Sequence, residues 1–246
     1  MTSSTKSEPS LPVPLLFDDL PKVKVAPGGA APPADAWRPS EWLFAPLVPQ
    51  RYRLIMADPA WEFALRSPKG EGKAPQKHYR CMPLPAIKAM PVRQLAHPDG
   101  CLLWLWGTWA MARLAWETMD AWGFTYVTGG PWLKTTKHGK RAFGPGYVLR
   151  ECTEFFLLGR MGSPPYGPGC TSERGLIETH HFEDGEPLAI EALAREHSRK
   201  PDEQYAKARR LVPHGPACEL FARQAWPGWE AWGNETDKFQ AQGETP

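Results

Sequence analysis

The stretch YRLIMADPAW, residues 52–61, decides how this chain is read. Its first six residues, Tyr52 to Ala57, form a short apolar run with the length and composition of a strand buried on both faces. In an α/β sheet such a strand presents its ligand-binding residues at its carboxyl end. Here that end carries Asp58, Pro59, Ala60 and Trp61. A second run, CLLWLW at 101–106, has the same character. After it, Met111, Ala115, Met119 and Trp122 recur at helical spacing, with Thr108 as candidate N-cap and Gly123 just past the end. That pattern predicts a strand followed by a helix over 108–123.

Outward from this core, strands are expected at 124–133, 153–158, 217–222 and 229–233, and a proline-started helix in PDEQYAKARRL from Pro201, which has its acids first and its bases last. Strands alternating with helices imply a mostly parallel sheet flanked by helices. The first 50 residues hold ten of the 28 prolines and show no sustained period, so residues 1–35 read as a flexible arm. The cluster Trp37, Trp42, Leu43, Phe44 and Leu47 is expected to dock on the domain edge, which places a single folded domain over 36–240. Within it, 159–191, rich in Gly, Pro and acids, reads as a surface loop or insertion.

A chain of 246 residues with 42% hydrophobic and 23% charged residues is ordinary for one globular domain, and a net charge of +2 excludes a polycation. Any nucleic-acid contact therefore has to come from a local basic patch. The five scattered cysteines form no CxxC pair, which argues against a disulfide framework or zinc site and for a reducing, cytoplasmic setting. The longest apolar stretch, 101–112, is too short to cross a bilayer, and no charged-then-apolar leader opens the chain.

The chemistry of Asp58-Pro59-Ala60-Trp61 fits one task. An adenine amino group is a poor nucleophile because its lone pair is delocalised into the ring, so a site that alkylates it needs acceptors that grip its two hydrogens. Asp58 could supply a carboxylate and Pro59 a carbonyl, while Trp61 could stack on a flipped base, a contact worth about 1–3 kcal/mol. Taken alone, however, the tetrapeptide is better read as a strand ended by a turn, with Trp61 in the core.

The carboxyl-terminal third changes the balance. HSRKPDE at 197–203, ELFAR at 219–223 and PGWEAWGNE at 227–235 follow KHYRCM at 77–82, LLWLWGTWAM at 102–111, WGF at 122–124, WLKT at 132–135 and GYVLRECTEFFLLGR at 146–160. In this order they resemble the MT-A family of adenine N6-methyltransferases, which includes the METTL enzymes and bacterial and phage relatives. Several separated motifs in one order are far more specific than any one of them.

The resemblance implies a Rossmann-like class I methyltransferase fold of the permuted kind, in which the catalytic motif precedes the main cofactor-binding segment, and S-adenosylmethionine as cofactor. It implies that Lys200 holds the cofactor carboxylate, that Arg223 and Asn234 hold the ribose hydroxyls with Glu235 beside them, and that Asp58 faces both donor and acceptor. Tyr79 would line the adenine pocket, with Trp106, Lys134 and Glu154 around it.

Read from the residues alone, Lys200 before a helix start is also an ordinary surface charge, and Arg223 at the end of an apolar strand could form a surface ion pair. His138 and His197 lack a second ligand at metal spacing, so no metal is expected. The one dense basic segment, Lys134, Lys137, Lys140 and Arg141, with Arg150 beyond and Phe143 and Tyr147 among them, is either a phosphate-gripping loop or a solvated one. Its place in the family's order favours nucleic acid.

Two departures from the family pattern stand out. Ala60 replaces a second proline, which loosens the turn by about 0.4–1 kcal/mol and removes neither acceptor. The acids Glu178, Glu183, Asp184 and Glu186 weigh against substrate contacts in that segment.

The expected activity is flipping of adenine out of DNA and direct in-line methylation, with no covalent enzyme intermediate. DNA is preferred over RNA because no RNA-binding module or zinc finger is recognisable. RNA, cytosine amino methylation and a noncatalytic nucleic-acid-binding scaffold remain as alternatives, and an oligomer is possible. Asp58 is expected to face the surface with little packing role, and to lie close to the far end of the chain.

Overall fold

The two apolar runs, YRLIMA and CLLWLW, pair at the centre of the fold. The computed structural model describes residues 42–61, 81–135, 141, 148–167, 175, 192–193 and 199–239. Strand β1, Leu54–Ala57, pairs in parallel with β2, Gly100–Gly107, on one side, Ala57 lying opposite Leu105. On its other side it pairs in parallel with β6, Ala217–Leu220, which is followed by the short parallel strand β7, Glu230–Trp232. Beyond β2 the sheet continues through β4, Thr153–Gly162, to β3, Thr125–Thr135, and ends on β5, Ala192–Leu193. The order is therefore β5-β3-β4-β2-β1-β6-β7.

The sheet is mixed. β4 runs antiparallel to both β2 and β3, whereas every other pairing is parallel. The strand-helix alternation did not foretell this. An antiparallel return needs no crossover helix, and none lies between β3 and β4 among the described residues.

Both faces of the sheet are covered, which is why every residue of β1 and β2 is buried. Side chains alternate between two cores. Ile55, Ala57, Leu103, Leu105, Phe155 and Leu157 face helices α1, Leu84–Lys88, and α2, Ala112–Ala121. Leu54, Met56, Trp104, Trp106 and Phe156 face α3, Glu203–Leu211, through its Tyr205 and Ala208. Trp104 stacks on Phe156 with ring centroids 4.1 Å apart, inside a core closed further by Trp132. At the domain edge Phe44 and Leu47 are buried and Phe44 meets Trp232 at 5.1 Å, while Leu43 stays exposed. Trp37 and the proline-rich arm lie outside the described residues.

Several local expectations need correcting. The helix expected from Thr108 begins as a 3-10 turn, Trp109–Met111, and becomes α-helical only at Ala112; Thr108 makes no capping bond. Gly123 does close it, with φ of 79°. β4 extends to Gly162, so the expected loop from 159 starts later, and residues 168–174 and 176–191 lie outside the described set. β6 ends at Leu220, where Phe221 turns the chain with φ of 62°, so Arg223 lies in a turn instead of ending a strand. Helix α1 and the 3-10 turn Val92–Leu95 were not foreseen, being short and set among prolines. No described helix is long and apolar enough to cross a membrane.

Candidate active site

Parallel neighbours β1, β6 and β7 open their carboxyl ends at one edge of the sheet, and the loops leaving them form a cleft of about 560 Å³. Asp58, Pro59 and Ala60 line one side of it, and Arg223, Asn234 and Glu235 line another. The topology compels this meeting. β6 pairs with β1, so the turn after Leu220 emerges beside Asp58, whose amide lies 3.5 Å from the Leu220 carbonyl. Gly233 lets the segment after β7 approach the turn after β6, because a Cβ there would stand 2.4 Å from the Ala222 carbonyl oxygen. The volume is that of a small-molecule site, typically about 300–1,000 Å³.

A line of alternating charges crosses the same edge. Lys200 Nζ lies 2.7 Å from Asp58 Oδ2 and 3.1 Å from Glu154 Oε2, and Lys134 Nζ bonds Glu154 Oε1. Four elements contribute: the end of β1, the segment before α3, β4 and β3. Asp58 is thus not surface-facing. Its side chain is 21% exposed and that of Lys200 9%.

The two carboxylates respond differently because Glu154 has two ammonium neighbours and Asp58 one. Burial pushes the Asp58 carboxyl up, Lys200 opposes this, and the negative charge of Glu154 adds to it. Burial would also raise Glu154, but Lys200 and Lys134 outweigh it and hold that carboxyl down to about 2.

The turn from Asp58 to Trp61 is tightly organised. The Trp61 amide donates to the Pro59 carbonyl at 2.7 Å, which leaves that oxygen one further lone pair, and the Met82 amide donates to the Ala60 carbonyl at 2.9 Å. Trp61 itself is only 5% exposed and belongs to the core beneath the turn. Burial of this degree leaves no open ring face for a base, and the plain reading of Trp61 as a core aromatic fits better. Trp106 is also fully buried, its Nε1–H donating to Gln204 at 2.7 Å under the Lys200 ammonium.

Arg223 pairs with Glu235 at 2.9 Å over the Phe239 ring, and Asn234 is exposed at the cleft. Lys134 turns toward Glu154 and the Trp132 ring, whereas Arg141 and Arg150 are exposed. Tyr79, Lys137 and Lys140 lie outside the described residues, as do His138 and His197.

A small polar recess of about 20 Å³ adjoins the cleft at Asp58 and Arg223 and brings in residues that sequence reasoning passed over: Arg199, Gln204, Glu219 and Gln224. Arg199 Nε and Gln224 Oε1 are buried there without a hydrogen-bond partner. Glu219 accepts from the Tyr205 hydroxyl at 2.6 Å, and burial pushes its carboxyl up to about 7. The available signal was an acid inside ACEL, a four-residue strand otherwise free of charge.

Comparison with known proteins bears on this edge of the sheet. The MT-A70 family model matches residues 52–235. An MT-A70-like N(6)-adenosine-methyltransferase of Arabidopsis thaliana is 29% identical over 75% of this chain and 24% of its own length. The type II methyltransferase M.MunI of Mycoplasma sp is 26% identical over 80% of this chain and 83% of its own. The N(6)-adenine-specific methyltransferase METTL4 of Homo sapiens is 28% identical over 77% of this chain and 38% of its own. The chain thus spans about a quarter of the length of the plant relative, and most of the length of the type II enzyme.

Proposed function

This chain belongs to the MT-A70 family, and we propose on that premise that it methylates the exocyclic amino group of adenine in nucleic acid, with S-adenosylmethionine as donor. One observation carries the reading: residues from the first core strand and from the far end of the chain line a single cleft, Asp58 facing Arg223, Asn234 and Glu235. The residues fit the donor. The cleft has room for it, and beside it lie buried polar atoms without partners, Arg199 Nε and Gln224 Oε1. Arg223, Asn234 and Glu235 would hold the ribose, and Lys200 the carboxylate. When bound, this group supplies a methyl made electrophilic by a sulfonium.

The chain's own residues prepare the acceptor. Lys200 occupies Asp58 Oδ2, so Oδ1 is the oxygen that accepts from the adenine amino group, and the second lone pair on the Pro59 carbonyl takes the other hydrogen. Together they draw the nitrogen toward a tetrahedral form and free its lone pair. The ion pair with Lys200 fixes the carboxylate in place, the kind of preorganisation that lowers a barrier. Trp61 supports the turn from beneath.

DNA is the preferred substrate, because the likeness that extends over most of both chains is to a type II methyltransferase, whereas the adenosine methyltransferase of Arabidopsis is matched over a quarter of its length. The test is transfer of labelled methyl from S-adenosylmethionine to adenine-containing DNA and RNA oligonucleotides, followed by nucleoside mass spectrometry. N6-methyladenine formed by the parent and absent with Asp58→Asn supports the reading. Cofactor binding without transfer to either nucleic acid overturns it in favour of a scaffold.

A further inference from the structure

The most exposed tryptophan among the described residues that carry large exposed apolar side chains stands at the rim of this edge. Trp109 is 48% exposed. It begins the turn after β2, and because Leu105 pairs with Ala57, it emerges on the same edge as Asp58, one strand away. The ring is held in place. Its Nε1–H donates to Thr153 Oγ1 at 2.7 Å, next to Glu154 of the charge line, and its plane leans on Phe155 with centroids 5.1 Å apart. The edge that could hydrogen-bond is satisfied, and an outer face is left to solvent.

The row continues away from the site. Trp116 lies 6.0 Å from Phe155 and 5.4 Å from Tyr126, and these two rings are 37% and 42% exposed. Arg113, almost fully exposed, lies between Trp109 and Trp116 in the chain and pairs through its Nε with Glu117 at 3.0 Å, a solvated pair that a phosphate can compete for. Arg150 is exposed on the loop that leads into β4. Both indoles pack on one side, yet each keeps over a third of its surface in solvent, where burial would have been the favourable outcome.

We propose that Trp109 is a stacking platform for a nucleotide flanking the target adenine, and that the Trp116–Tyr126 row extends the track for a single strand. The proposal rests on the reading of the substrate as nucleic acid. Exposed, immobilised rings interleaved with guanidinium groups suit bases and phosphates, since every base offers a π-face and each phosphate a charge. The continuity of this rim with the edge that carries Asp58 favours the substrate strand over a protein partner.

Binding separates this proposal from the activity. Short labelled single-stranded DNA and RNA are titrated with the parent, Trp109→Ala and Trp109→Phe, and read by fluorescence anisotropy, with thermal unfolding and S-adenosylmethionine binding as controls. Trp109→Ala is expected to weaken strand binding by roughly 5- to 150-fold, and Trp109→Phe to keep most of it, with both controls unchanged. The DNA and RNA arms show which strand uses the platform.

Unchanged strand binding by Trp109→Ala overturns the proposal, as does a parent that binds neither strand. Loss of self-association with strand binding intact also overturns it and makes the row a protein interface. If Trp109→Ala loses strand binding while the parent transfers no methyl to any adenine, the platform stands and the proposed activity fails.

Discussion

Replacing Glu219 by glutamine should change how stability depends on pH, and by an amount the structure sets. Glu219 lies in β6 with 8% of its surface exposed. Burial, reinforced by the nearby Asp58 charge and opposed by Tyr205 and Lys200, pushes its carboxyl up from 4.5 to about 7. The folded protein therefore holds this proton more tightly than the unfolded chain does. Stability from this group is fully present below about pH 4.5 and is lost as pH rises through 7, by on the order of 3 kcal/mol at about 1.36 kcal/mol per pH unit. The glutamine keeps an acceptor for the Tyr205 hydroxyl and never ionises. Urea denaturation of parent and Glu219→Gln across pH 4 to 8 gives a difference curve in which titrations shared by both proteins cancel. That difference should grow in favour of the variant as pH rises, reaching about 3 kcal/mol above pH 7. A flat difference curve, or one that grows in favour of the parent, refutes the burial argument.

Three further outcomes are expected. Asp58→Asn should lower the methyl-transfer rate by about 100-fold or more while S-adenosylmethionine binding persists, measured by single-turnover transfer and equilibrium dialysis. Lys200→Ala strands the buried Asp58 carboxylate and leaves Glu154 with Lys134 alone, so denaturation should show a loss of about 3–5 kcal/mol, and cofactor affinity should fall more than strand affinity; equal losses would remove its assigned role. Trp104→Ala, which deletes the ring stacked on Phe156 and removes no residue lining the cleft, should cost about 3–5 kcal/mol in denaturation without changing cofactor affinity in the fraction that remains folded.

The central architecture was legible because periodicity and burial act locally. YRLIMA and CLLWLW have the length and composition of strands buried on both faces, and Met111, Ala115, Met119 and Trp122 marked one side of a helix. What escaped notice depends on tertiary pairing. The direction of β4 is fixed by its neighbours and not by its residues. Asp58 read as surface-facing because nothing near it in the chain reveals Lys200, 142 residues away. Lys134 was grouped with the basic residues that follow it, yet the partner that orients it, Glu154, comes from the next strand. Glu219 was legible in principle as a lone acid in a buried strand, but its ordinary look within ELFAR hid it. The meeting of Asp58 with Arg223 and Asn234 could be expected from motif order, and the sheet order supplies the physical cause.

The placement of β1 also governs how the protein is made. One edge of this strand is covered by β2, but its other edge awaits β6, about 160 residues later in the chain. At about 5–20 residues per second of synthesis, that backbone stays unpaired for roughly ten to thirty seconds on the ribosome. The nascent chain thus carries an unpaired strand edge until β6 has emerged, and a stop anywhere before residue 217 leaves that edge open to pairing with another chain.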